Sequence, residues 1–62
     1  MTEEDNRQMK IIKELTENSQ RAISWGDHYL EKLEDEFLKQ QIREIKERFE
    51  QIIKYCNEHY QL

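Results

Sequence analysis

The sequence contains no proline, a single glycine and a single cysteine among its 62 residues. Proline and glycine are the residues that most often interrupt helices, so their scarcity leaves few places where a helix has to end. The lone cysteine, Cys56, excludes an intrachain disulfide framework. Charged residues make up 39% of the chain and hydrophobic residues 35%, and this balance without helix breakers predicts an all-α protein.

The sequence also lacks a long apolar run and a basic N-terminus. No segment approaches the roughly 20 apolar residues that a membrane span needs. The chain begins Met-Thr-Glu-Glu-Asp, whereas a secretory signal begins with basic residues. Together with the lone thiol, these features predict a cytoplasmic protein. The net charge of −4 disfavours nonspecific attraction to nucleic acid or to anionic membranes.

No set of residues typical of an active site is present. There is no glycine-rich loop to hold phosphate groups, and Asp27 and His28 are neighbours whose side chains leave a helix in different directions. Cys56 and His59 are three residues apart, and two copies of the chain would supply four zinc ligands. A small buried thiol followed by a terminal histidine explains that pair more simply. We therefore expect no enzymatic activity, no cofactor and no metal.

One strong pattern runs through the second half of the chain. Its apolar residues follow a spacing of four and three that is typical of a helix packed against another helix. These residues, which we call the seam, are Leu38, Ile42, Ile45, Phe49, Ile52 and Cys56, and His59 continues the spacing. We predict that the seam mediates self-association. A chain of this length is marginal as a monomer and has no disulfide or metal to stabilise it, so we expect a homodimer.

The helices can be bounded by their end signals. Thr2 and Asp5 match a capping box, which predicts a first helix over about residues 3–24. Gly26 is suited to end that helix and Asp27 to begin the next, which predicts a turn at about 24–27 and a second helix at about 28–60. The alternative is one helix that continues through Gly26. The longer second helix would overhang the shorter first one, and a second copy would cover it in a dimeric four-helix bundle or coiled coil.

A second irregularity lies between Leu33 and Leu38. The apolar stripe that leads to Phe37 would continue to Gln41 and Glu44, which are polar, so the apolar face rotates around the helix here. A turn capped by Asp35 would explain the rotation, as would a change of packing partner along one helix. Because no glycine or proline is present in this segment, we expect the helix to continue.

The aromatic residues outside the seam are the candidates for contact with another protein: Trp25, Tyr29, Tyr55 and Tyr60. Trp25 is the strongest candidate, although burial under the hairpin is the more common fate of a tryptophan beside a turn. These features favour a small regulator or inhibitor that binds another protein.

Two alternatives involve nucleic acid. Lys39, Arg43 and Lys46 form a basic ridge beside the seam that would suit contact with phosphates, although acidic residues interleave with them. Residues 1–31 contain seven acidic and four basic residues, a net charge of −3, and such an acidic helical surface would suit a mimic of the nucleic-acid backbone.

Overall fold

The computed structural model describes residues 3–60, which form two α-helices packed against each other as a helical hairpin. Helix α1 spans Glu3–Lys32 and helix α2 spans Glu36–Tyr60. Residues 33–35 connect them, a length typical of αα-hairpins. The prediction of an all-α helical hairpin is therefore confirmed. Thr2, the expected cap of the first helix, lies outside the described residues.

The predicted position of the turn was wrong. Gly26 lies inside α1 and is buried, so α1 has 30 residues and α2 has 25. The first helix is therefore the longer one, and α2 does not have the long overhang that the sequence predicted. A glycine within a helix costs only about 1 kcal/mol relative to alanine, and packing at Gly26 offsets that cost because α2 lies directly against its backbone.

The connection lies instead where the apolar stripe rotates. Asp35 precedes the first residue of α2, and its carboxylate Oδ1 accepts a hydrogen bond from the backbone N–H of Leu38 at 3.0 Å. This is the geometry of an N-cap, in which the side chain satisfies an N–H group that has no partner within the helix. The expectation of a continuous helix at 33–38 was therefore also wrong: α1 ends at Lys32, and Asp35 caps the start of a new helix although no glycine or proline is present there.

The Asp35 cap can be tested by substitution. We expect Asp35→Ala to lower the free energy of unfolding by about 1 kcal/mol, because the N–H of Leu38 loses its partner. Asp35→Asn keeps an oxygen in the same place and should unfold close to the wild-type midpoint. Urea denaturation followed by circular dichroism measures both variants, and equal midpoints for the alanine and asparagine variants would show that the cap contributes nothing.

The contact between the helices is built on small residues. Within residues 3–60, the buried positions are Thr16, Ser19 and Gly26 on α1 and Cys56 on α2. Small side chains allow two helix backbones to approach closely. The hydroxyls are satisfied within α1, because Thr16 Oγ1 donates to the Ile12 carbonyl at 3.0 Å and Ser19 Oγ to the Leu15 carbonyl at 2.7 Å. Burial of these polar groups therefore carries little desolvation cost.

The hairpin is long and only one layer deep. It measures 50 × 15 × 13 Å, and its radius of gyration is 14.6 Å, compared with about 11 Å for a compact chain of this length. None of the helices in the described part of the chain is both long and apolar enough to cross a membrane. With so thin a cross-section, most large apolar side chains cannot be enclosed by the chain itself.

Candidate protein-binding surface

The hairpin divides the seam into an inner and an outer set. Cys56 is buried, and Ile42, Phe49 and Ile52 are half-buried on the side of α2 that faces α1. Leu38 and Ile45 remain 46% and 51% exposed. Much of the spacing that predicted self-association is thus used for packing within one chain, and part of it is left on the surface.

Six large apolar residues on one side of the hairpin form what we call the open face. Each is between 43% and 59% exposed, and they are Ile11, Leu15, Trp25 and Tyr29 on α1 with Ile45 and Tyr55 on α2. On α1, Ile11 and Leu15 are four residues apart, as are Trp25 and Tyr29, and the second pair follows the first by 14 residues. These spacings keep the four side chains on one side of the helix. A surface of this kind on a small protein is typical of an interaction site.

Two shallow grooves run between the helices on the open face. Leu15, Ile52 and Tyr55 contribute to one of them, together with Ile12 and Cys56. Ile45 and Phe49 of α2 contribute to the other, opposite Trp25, Tyr29 and Ala22 of α1. Both grooves are lined mainly by apolar side chains, so they are suited to accept apolar side chains of another helix.

Trp25 is at the centre of an aromatic cluster on α1. Its ring stacks on Tyr29 with centroids 6.1 Å apart, and the His28 ring meets it edge-on at 6.0 Å. The interpretation that Trp25 is buried under the hairpin was wrong, because the turn lies farther along the chain and 59% of Trp25 is exposed. Contacts between the rings limit their orientations, which reduces the entropy lost when they are buried by a partner.

The C-terminal turn of α2 carries a second aromatic group. The Tyr55 ring packs against His59 with centroids 4.1 Å apart and lies 6.4 Å from the Tyr60 ring. Tyr60 is 38% exposed and contributes to the groove near Tyr55. Of the four aromatic residues predicted to contact a partner, the structure places Trp25 and Tyr29 at one groove, and Tyr55 and Tyr60 at the other.

Cys56 and His59 occupy different surroundings. The Cys56 thiol is buried against α1 and only 4% exposed, whereas His59 is exposed and packs on Tyr55. Within residues 3–60, no group of three or more histidine, cysteine, aspartate or glutamate residues is arranged to hold a metal ion.

The basic ridge is engaged with neighbouring polar groups. Lys46 Nζ forms an ion pair with Asp27 Oδ1 on α1. Lys39 pairs with Glu36 at 3.7 Å, and Arg43 Nη1 donates to the side-chain oxygen of Gln40 at 3.2 Å. The structure therefore does not bring the three bases together as a free positive surface.

The contact between Lys46 and Gly26 was not foreseen from the sequence. A Cβ atom at Gly26 would lie 2.8 Å from Lys46 Cγ and 3.0 Å from Lys46 Cδ. The aliphatic part of Lys46 therefore crosses α1 where the glycine leaves room, and its ammonium group reaches Asp27. Asp27 and Lys46 are 19 residues apart, so no local pattern in the sequence could have paired them.

Comparisons of the chain with family models, with curated proteins and with solved structures gave no match.

Proposed function

We propose that this protein is a non-enzymatic interaction module of the cytoplasm that regulates another protein by binding it through the open face. The observation that carries the proposal is the open face itself: six large apolar side chains lie on one side of a two-helix layer, each about half exposed. Leaving this much apolar surface in water is unfavourable, at roughly 25 cal/mol per Å² of apolar area. A protein surface that covers it would recover that free energy.

The composition of the open face supports binding to a protein. Tryptophan and tyrosine are enriched among the residues that dominate protein–protein affinity, and the face presents Trp25, Tyr29 and Tyr55. The grooves on either side of these residues resemble the site that a third helix occupies when it completes a bundle. The basic ridge has less support as a binding site, because Lys39, Arg43 and Lys46 already contact acidic or amide groups.

Affinity capture from the native host tests this proposal. We expect the double variant Trp25→Ala, Tyr29→Ala to lose a protein that the wild type captures, because it removes the aromatic cluster from the open face. Both residues are at least half exposed, so the helicity measured by circular dichroism should change little.

The matched control carries two alanines on the side of α1 that faces away from the open face, at Lys13 and Glu31. Both residues are exposed, and we expect this variant to capture the same protein as the wild type. Retention of the captured protein by the Trp25, Tyr29 variant would contradict the proposal, as would equal loss from the control.

A further inference from the structure

The hairpin exposes more surface than a compact protein of its mass, and the excess is about the size of one protein interface. The accessible surface of the chain is 5339 Å², whereas a folded monomer of 7.8 kDa is expected to expose about 4,400 Å². The excess is about 900 Å², close to the roughly 800 Å² that each partner buries in a standard interface. One further protein surface, applied to the open face, would therefore bring the chain to the burial that is usual for its mass.

The shape of the hairpin also suits a second two-helix layer. It consists of two helices packed side by side, and its extents across the long axis are 15 × 13 Å. Two such layers packed through their open faces have the cross-section of a four-helix bundle, in which apolar residues from four helices enclose a common core.

The two edges of the open face carry charges of opposite sign. On α1, every seventh residue along the edge of the open face forms a row: Arg7, Glu14, Arg21 and His28. Two arginines and one glutamate give this row a net charge of +1. The corresponding row on α2 has two glutamates, a net charge of −2: Phe37, Glu44, Gln51 and Glu58. All eight side chains are exposed. Including the next charged residues towards the face, Glu4 and Lys32 on α1 and Arg48 on α2, leaves the signs unchanged at +1 and −1.

This asymmetry makes the surface complementary to itself. In a two-fold symmetric pair, each contact between one part of the surface and another occurs twice. If α1 of one copy lies beside α2 of the other, a row of net charge +1 lies along a row of net charge −2 at both edges. If α1 lay beside α1, two rows of net charge +1 would face each other at one edge and two rows of net charge −2 at the other, which is unfavourable.

We propose that a second copy of this chain covers the open face, with α1 of each copy packed beside α2 of its partner. This inference rests on the proposed function, because it takes the open face as the binding surface: the second copy covers that face until the regulated protein replaces it. The apolar side chains of the open face then form the centre of the interface, and the two charged rows form its rim.

Exchange of the rim charges tests the arrangement. One variant carries Arg7→Glu and Arg21→Glu, and the other carries Glu44→Arg and Glu58→Arg. Each variant alone gives the facing rows net charges of the same sign at both edges, −3 and −2 in the first variant and +1 and +2 in the second. We therefore expect its dimer dissociation constant to rise about tenfold or more at low ionic strength. Mixed in equal amounts, the two variants place opposite charges together again at both edges and should form a heterodimer as tight as the wild-type dimer.

Analytical ultracentrifugation of each variant and of the mixture measures these constants, and a helicity measurement confirms that both variants fold. The differences between the variants and the wild type should shrink in high salt, because exposed charges are screened. A monomeric wild type would overturn the proposal, and so would a mixture that stays as weakly associated as its components. Neither result alters the capture experiment with the Trp25, Tyr29 variant, which tests the proposed function separately.

Discussion

Replacing Ser19 with leucine is expected to lower the thermal unfolding midpoint by about 10 °C or more. Ser19 is the most completely buried side chain described, at 1% exposed, and Thr16 and Gly26 are the other buried residues of α1. Leucine needs more room there than the contact provides, and overpacking of this kind typically costs about 1–3 kcal/mol. In a domain of this size, 1 kcal/mol corresponds to a shift of about 4–8 °C.

Ser19→Ala is the matched control. Alanine fits the same space. The Leu15 carbonyl that accepts the serine hydroxyl keeps its hydrogen bond from the helix backbone when the hydroxyl is removed. Alanine has a higher helix propensity than serine, so we expect the midpoint to stay within a few degrees of the wild type or to rise. Thermal unfolding followed by circular dichroism measures both variants. A leucine variant as stable as the alanine variant would show that the helices do not approach closely at Ser19.

Replacing Ile45 with aspartate is expected to dissociate the dimer while leaving the hairpin helical. Ile45 is 51% exposed in the single chain, so a charge there is tolerated by the hairpin. In the dimer the same charge would be buried in an apolar interface, which carries a large desolvation penalty. We expect the dissociation constant to rise by about a hundredfold, which corresponds to roughly 3 kcal/mol.

The only tryptophan of the chain reports on this change. Trp25 lies on the open face, so its fluorescence should be quenched more readily by acrylamide in the Ile45→Asp variant than in the wild type at the same concentration. Asn57→Asp is the control, because it adds the same charge at an exposed position of α2 away from the open face. Equal quenching in all three proteins would contradict the burial of the open face in a dimer.

The sequence allowed the helices to be predicted more securely than their ends. The heptad spacing from Leu38 to Cys56 identified a packed helix, and the structure contains it. Gly26 suggested a turn because glycine often ends helices, but tertiary contacts can offset its low propensity. Here the residue serves close packing with Lys46 and Ile42. The observed turn was indicated by the rotation of the apolar stripe and by Asp35 as a capping residue. The absence of glycine and proline from this segment favoured a continuous helix, but a cap is enough to begin a new one.

The candidate surface could be predicted only in part. Trp25 and Tyr29 were identified by residue type, and their position on an exposed face followed once α1 was known to continue past them. Leu15 and Ile11 were missed as surface residues because a sequence pattern shows which residues share a helix face, but not how far a partner helix covers it. The ion pair between Asp27 and Lys46 was missed because it depends on the register between the two helices.

The mass of the wild-type protein in solution tests most directly the central claim that the hairpin is completed by a second copy of itself. Sedimentation equilibrium over concentrations from about 1 μM to about 100 μM covers the range in which a moderately stable dimer associates. We expect the mass to approach twice the 7.8 kDa of one chain as the concentration rises. A well-folded protein that remains at 7.8 kDa at every concentration would contradict the claim.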